Sequence, residues 1–390
     1  MFGGCPACAR KHTKAPVEVR YDYQHPAARQ CECSATGLWR WRALLPRIAE
    51  RNIITLGEGN TPLLKLRNWS GSAPLYLKNE TASPTWSYKD RANSVSISMA
   101  REFGFSNVVA VSTGNHGNAA AAYSSAAGSR CVVFCHQDAP ELQLALMGSY
   151  GATVVRGGRQ DAMVRALVAR GDWFPSWIVC PRAGFSNPFG IEGFKTIAFE
   201  IYQQFGKVVP DRVFVPVGSG DGIYGIWKGF VELQRTGQSD RLPRMYACQA
   251  TGANPYVRAF REGKKRLTPV ERAHTVALSI EEKIGGELAL GAVYESGGAA
   301  LDVTDDEILL TARCLAREGL ALEPASAAAV ACASKLVEHG CEEERWVAIG
   351  TGAAIKWPQT ATREFVMPEK LPPDYEDISQ LIPNEQTLRT

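Results

Sequence analysis

The sequence predicts an α/β protein built on parallel sheets. Three observations predict it. Short apolar, β-branched runs recur along the chain, segments of helical period separate them, and glycine-rich turns stand where a run gives way to a helix. Strands spaced by helices of about 10–15 residues are the mark of βαβ units. The runs at 75–77, 108–111, 131–134, 153–155, 177–179, 213–217, 245–248 and 346–349 read as short buried strands. Ala92, Val95, Ser96, Met99, Ala100 and Phe103 recur at the helical period, so 92–103 reads as a helix with one small-to-apolar face. A second helix is expected from Ile223 to about Gln234. Residues 1–55 read as an irregular extension with cysteines, arginines and the pair Trp39 and Trp41, and 366–390 as a Pro-, Asp- and Glu-bearing tail.

A length of 390 residues suggests about two domains, with room for a core that needs no disulfide staples. Lys and Arg total 43 and Asp and Glu 40, a net charge of +3, and no dense basic patch argues for a nucleic-acid partner. At 45% hydrophobic and 21% charged the chain is ordinary globular protein. No apolar stretch follows a basic start and no 18-residue apolar run occurs, so neither a secretory signal nor a membrane partner is expected. Of eleven cysteines, seven (Cys131, Cys135, Cys180, Cys248, Cys314, Cys332 and Cys341) sit in apolar contexts, as buried reduced thiols would in the cytoplasm.

Four constellations could carry chemistry. Gly218, Ser219, Gly220, Asp221 and Gly222 follow the strand at 213–217 and open a helix. Backbone N–H groups converging at a helix N-terminus can hold a phosphate, and glycine lets the ligand approach; a bare tight turn is the alternative. Residues 220–225 also satisfy GxGxxG, the dinucleotide fingerprint of a nicotinamide-dependent oxidoreductase. The next strand, however, ends in Cys248, Gln249 and Ala250, with no acid for a ribose. Lys89 stands at the start of the helix that Ser87 is expected to cap. The positive end of that dipole would lower its pKa and suit it to a Schiff base, though on spacing alone a solvated lysine fits better. Ser112, Thr113, Gly114, Asn115 and His116 make another strand-to-helix loop with hydroxyl and amide donors, able to bind a carboxylate or simply to cap its helix. Thr351 lies between Gly350 and Gly352, where a hydroxyl could meet a ring nitrogen. Separately, Cys5, Cys8, Cys31 and Cys33 form CxxC-x22-CxC, a candidate structural zinc site or a degenerate ribbon.

In this order the pieces resemble the threonine synthase family, within the tryptophan-synthase-β-like (fold type II) pyridoxal-phosphate enzymes. Residues 83–91 resemble its N-P-T-G-S-F-K-D-R block, 112–115 its asparagine loop, 192–196 its E-G-Q-K-T, 57–63 its L-G-E-G-N-T-P-L, and 323–326 and 351–356 its late motifs. The resemblance covers about residues 1–360, and the cysteine-bearing head resembles a zinc-ribbon-like start. It implies two three-layer α/β domains within 56–365, a smaller one about 92–190 inserted in the larger, with pyridoxal 5'-phosphate between them in a cytoplasmic homodimer. It makes Lys89 the Schiff-base lysine. Asn115 would meet the ring hydroxyl oxygen, Gly218, Ser219, Gly220, Asp221 and Gly222 the phosphate, and Thr351 the ring nitrogen, which a neutral threonine would leave unprotonated. Ser87, Ser112, Thr113 and His116 would face the small amino-acid substrate.

The implied reaction converts O-phospho-L-homoserine and water to L-threonine and phosphate. A serine/threonine dehydratase or a β-replacement enzyme of the cysteate synthase kind is the alternative on the same fold. Four departures bear on substrate. Trp86 replaces the usual glycine, so an indole must fill space from the substrate or from a rearranged loop. His116 replaces threonine and Phe194 glutamine. Asp221 enters a phosphate cradle, where it is expected to point outward or to cap the helix.

Overall fold

The computed structural model describes residues 5, 10, 17–29, 35–176, 187–361 and 370. Its strands are β1 (Leu63–Lys65), β2 (Leu75–Asn79), β3 (Asn107–Val111), β4 (Arg130–Cys135), β5 (Thr153–Arg156), β6 (Trp173–Pro175), β7 (Arg212–Pro216), β8 (Arg244–Ala250), β9 (Ala299–Val303) and β10 (Trp346–Gly350). Six form one sheet in the order β1-β2-β10-β7-β8-β9, and four form a second in the order β5-β4-β3-β6. Every pairing is parallel except β1 with β2. β7 and β10 are buried along their whole length, which is why they read as unbroken apolar runs.

The helices are α1 (Lys89–Glu102), α2 (Asn115–Ala126), α3 (Glu141–Ser149), α4 (Gln160–Ala169), α5 (Pro188–Gln204), α6 (Asp221–Arg235), α7 (Pro255–Arg261), α8 (Glu287–Glu295), α9 (Asp305–Arg317), α10 (Pro324–Ser334) and α11 (Pro358–Ala361). α1 stops where Gly104 takes φ +80°, with its N–H bonded to the Arg101 carbonyl and Phe105 N–H to that of Ala100. A left-handed glycine closes a helix in this way because no Cβ opposes it. Helix α5 packs between α1 and α6, and the small residues Gly193, Gly225 and Gly229 let these axes approach. A Cβ on Gly225 would stand 2.7 Å from Phe194 Cβ, so the last glycine of the GxGxxG pattern serves helix packing.

The strand expected at 177–179 lies outside the described residues; the fourth strand of the smaller sheet is β6, just before it. β1 and β9 were not legible. The first is three residues, none fully buried, and the second, AALDV, has alanines and an aspartate in place of β-branched residues.

The extension is bound to the core. Leu38, Trp39, Leu45 and Ile48 are buried against Val95, Met99 and Ala100 of α1, and Trp39 Nε1 donates to Ser94 Oγ at 2.9 Å. Tyr21 and Tyr23 donate to Glu192 of α5 and Glu232 of α6.

Beneath α1 lies a closed charge network. Arg91 donates to Glu80 and to Glu200 at 2.7 Å each, and Lys78 Nζ lies 2.7 Å from Glu200, all fully buried or nearly so. Thr61 Oγ1 donates to Glu80 at 2.6 Å. The network clamps the 57–63 motif, β2 and α5 around the first turn of the helix that bears Lys89. Charges so buried persist only because each is paired.

Candidate active site

A cavity of about 450 Å³ lies between the two sheets, within the range of small-ligand sites. Tyr88, Lys89, Ser112, Thr113, Gly114, Asn115, His116, Gly218, Ser219, Gly220, Gly222 and Thr351 all line it. Residues far apart in sequence thus share one wall.

Lys89 is the first residue of α1, and its side chain faces the cavity. Burial pulls its amine below the usual lysine range, against the opposing charges of Asp221, Glu282 and Glu323. Burial, rather than the helix dipole invoked from sequence, is the dominant cause. The Tyr88 and Phe194 rings flank it, with centroids 5.0 and 5.3 Å from Nζ. Phe194 is fully buried, so the residue standing for glutamine keeps this side dry.

Ser87 does not cap α1. Tyr88 holds the N-cap position, Ser87 does not line the cavity, and its Oγ is buried with no hydrogen-bond partner among the described residues. Trp86 also stands outside the wall. It takes φ +58° and is 39% exposed, and its carbonyl accepts the Ala353 N–H at 3.0 Å. The position needs left-handed backbone, which explains why glycine suits it and why the indole takes no space from a ligand.

α6 begins at Asp221 behind Gly220, whose φ is +105°. The Ser219 carbonyl is drawn off by Gly286 N–H and Tyr256 Oη, each at 2.8 Å. The first-turn N–H groups of an α-helix have no intrahelical acceptor, and Gly218, Ser219, Gly220 and Gly222 before and within that turn line the cavity. A Cβ would stand 2.6 Å from Ala289 Cβ at Gly220, and 2.7 Å from the Tyr88 ring at Gly222. Asp221 neither points outward nor caps. It is 1% exposed, its side chain is absent from the cavity wall, and Ser219 Oγ donates to it at 3.4 Å. A first-turn carboxylate is favoured by the helix dipole there.

α2 offers a second set of N–H groups without intrahelical acceptors, behind Gly114. Ser112 Oγ accepts the Gly114 N–H at 3.2 Å. The ring of His116 is engaged within the protein, Nε2 with Ser176 Oγ at 3.1 Å and Nδ1 with Asn93 at 3.4 Å. Burial, with Lys89 nearby, lowers it to about 3, so it is neutral near pH 7.

Glu323 lies in the 323–326 motif, where its spacing alone assigns it no role. Its carboxylate accepts from Asn115, Ser279, Trp357 and Thr351, joining the smaller sheet's α2 to the larger unit. Glu282 was missed altogether. It opens on the cavity, and burial lifts its carboxyl to about 7, with Lys89 opposing. His136, Gln160 and Trp357 also line the wall. None stands in a turn motif, so nothing local marked them.

Pyridoxal phosphate fits these residues. A depressed amine answers an aldehyde, a glycine cradle at a helix N-terminus answers a phosphate, and the buried Asn115 Oδ1 has no partner among the described residues. For the proposed zinc, Cys8, Cys31 and Cys33 lie outside the described residues, and Cys5 is half-buried. Among the described residues no cluster of His, Cys, Asp or Glu could hold a metal. Cys131, Cys135, Cys248 and Cys332 are buried free thiols, but Cys314 and Cys341 are exposed, against expectation, while Cys180 lies outside the described residues. No described helix is long and apolar enough to cross a membrane.

The model of the pyridoxal-phosphate dependent enzyme family matches residues 54–352. The threonine synthase of Methanocaldococcus jannaschii is 40% identical over 94% of this chain and 93% of its own length. That of Halalkalibacterium halodurans is 36% identical over 86% and 94%. Among solved structures, processed threonine deaminase isoform 2 from Solanum lycopersicum superposes with TM-score 0.68 at 21% identity, covering 90% of this chain and 98% of that one, a likeness of fold. The T.th. threonine deaminase gives 0.64 at 25% identity, over 75% and 92%. The GxGxxG lies inside the matched region, which removes the nicotinamide reading. The chain belongs to the pyridoxal-phosphate-dependent enzyme family, in its fold type II class and within the threonine synthase family.

Proposed function

We propose that this enzyme is a pyridoxal-phosphate-dependent lyase converting O-phospho-L-homoserine and water to L-threonine and phosphate. The observation that carries it is Lys89, an amine depressed by burial, in a cavity flanked by two helix N-termini. Identity to threonine synthases over nearly the whole chain supports the substrate. When bound, the cofactor supplies an electron sink.

The protein's part follows from its own groups. Lys89 would be the amine that anchors the cofactor's aldehyde and, as a free base, would take the substrate's Cα proton and move protons at Cβ and Cγ. The N–H groups of Gly218 to Gly222 hold the cofactor phosphate. Asn115 meets the ring hydroxyl oxygen and Thr351 the ring nitrogen. Ser112, Thr113 and the backbone of His116 receive the substrate carboxylate. Phe194 and Tyr88 exclude water from the lysine.

One observation favours the second reading, a dehydratase or β-replacement enzyme. The basic side chains among the described residues of the wall are Lys89, His116 and His136, with no arginine, and Glu282 stands among them. A substrate phosphate there finds little counter-charge, whereas a neutral hydroxyl needs none. Mixing the cofactor-loaded enzyme with O-phospho-L-homoserine, and separately with threonine, decides. Phosphate with threonine supports the first reading; ammonia with 2-oxobutyrate supports the second. Lys89→Ala should abolish both.

The remaining parts of the proposal are a cytoplasmic homodimer and a structural zinc on Cys5, Cys8, Cys31 and Cys33. Buried free thiols support a reducing compartment. Metal analysis of the protein before and after Cys31→Ser tests the zinc.

A further inference from the structure

Glu282 lines the cavity, and nothing in the assigned machinery uses it. The loop that carries it, 278–286, is pinned at both ends. Ile280 N–H donates to the Ala277 carbonyl at 2.9 Å, and Gly286 N–H to the Ser219 carbonyl at 2.8 Å. Its neighbour Glu281 is turned to structural work, with Oε2 accepting the Thr275 N–H at 3.1 Å. The side chain of Glu282 is instead open to the cavity, and it makes no hydrogen bond or ion pair among the described residues. Its stem lies against the phosphate cradle, since a Cβ on Gly218 would stand 3.1 Å from Glu282 Cγ.

The charged and titratable groups that face it are Lys89 of α1, Asp221 of α6 and its neighbour Glu281, with His116, His136 and Glu323 elsewhere on the wall. Burial among these elements lifts its carboxyl to about 7, with Lys89 opposing and Asp221 and Glu281 adding to the rise. A phosphate in the neighbouring cradle pushes the same way, because a second anion disfavours the charged form. In its neutral form a carboxyl has a hydrogen to donate.

We propose that Glu282 is a specificity-determining residue that receives the substrate's anionic side-chain group as a neutral hydrogen-bond donor. This rests on the reading of a phosphorylated substrate, and it supplies a donor to a wall whose described residues include no arginine. A carboxyl and a phosphate side by side share one proton at less cost than both bear full charge. Arginine holds an anion at any pH. A carboxyl holds one only while protonated, so recognition is lost as pH rises. A cationic side chain would favour the ionised carboxylate instead, and the pH dependence of anion binding separates the two.

The probe is sulfate, which stays a dianion from about pH 5.5 to about pH 8.5, so that a change in its affinity reports the protein alone. Binding is measured by calorimetry on the cofactor-loaded enzyme, whose cradle is already filled. Wild-type affinity is expected to fall about tenfold or more from about pH 7 to about pH 8.5, as the protonated fraction falls. Glu282→Gln, a neutral donor at every pH, should keep at about pH 8.5 the affinity it has at about pH 5.5. Glu282→Ala should bind weakly throughout. His136→Gln, made alongside because its imidazole also faces the cavity, should keep the wild-type slope. With O-phospho-L-homoserine, KM should rise with pH less steeply in Glu282→Gln than in the wild type.

The inference is overturned if sulfate does not bind, if wild-type affinity is flat with pH, or if Glu282→Gln keeps the wild-type slope. A slope that disappears in His136→Gln overturns it too. If sulfate binds as expected but O-phospho-L-homoserine releases no phosphate, the substrate reading fails, and Glu282 remains the receptor of an anion.

Discussion

Lys89 Nζ stands 5.3 Å from the centre of the Phe194 ring. A ring face attracts an ammonium by about 0.5–2 kcal/mol. The lysine is nonetheless shifted toward its neutral form, so loss of water outweighs that attraction. Phe194→Gln should admit polarity and move the Lys89 pKa back up. Only the neutral amine captures an aldehyde. The pH at which the apoprotein recombines with pyridoxal phosphate should therefore rise, read by absorbance against pH. An unchanged pH dependence would show that the ring does not set the lysine.

Gly220 holds the turn between β7 and α6. Alanine there meets Ala289 at 2.6 Å and must adopt φ +105°. Strain and overpacking together should cost about 1–3 kcal/mol of stability. Because the turn aims the phosphate donors, cofactor affinity should fall about tenfold, in equilibrium dialysis, for each 1.4 kcal/mol or so carried into binding.

Trp86 sets two effects against each other. Its left-handed backbone costs about 1–2 kcal/mol. Its buried three-fifths, about 150 Å², contributes up to about 4 kcal/mol. Burial wins, so Trp86→Gly should lower stability by up to about 2–3 kcal/mol in urea. The indole does not line the cavity, so KM should stay within about twofold.

Acid should loosen the protein through His116. The unfolded imidazole titrates near about 6.5. The folded one, kept neutral by burial, titrates at about 3. Between these values the unfolded chain binds the extra proton, so stability falls as pH falls, by up to about 1.4 kcal/mol per unit. His116→Gln should flatten the urea midpoint between pH 6.5 and pH 3. A slope equal to the wild type would remove this account.

The strand–turn–helix units, and the place of the reactive groups within them, can be read from the chain alone. Glycines at 218–222, the hydroxyl and amide loop at 112–116 and Lys89 at a helix start are local patterns, because backbone N–H groups are freed wherever a helix begins. Apolar runs marked β7 and β10 because both faces are buried.

Folding supplied the rest. Glu323 lies 208 residues from Asn115, and no spacing rule links a carboxylate on one unit to an amide on the other. The outward turn of Trp86, the inward turn of Asp221 and the loss of a cap at Ser87 each depend on neighbours brought in from distant segments. Charge, burial and hydrogen-bond polarity belong to a position in space, and the chain acquires that position only when its two sheets close on the cavity.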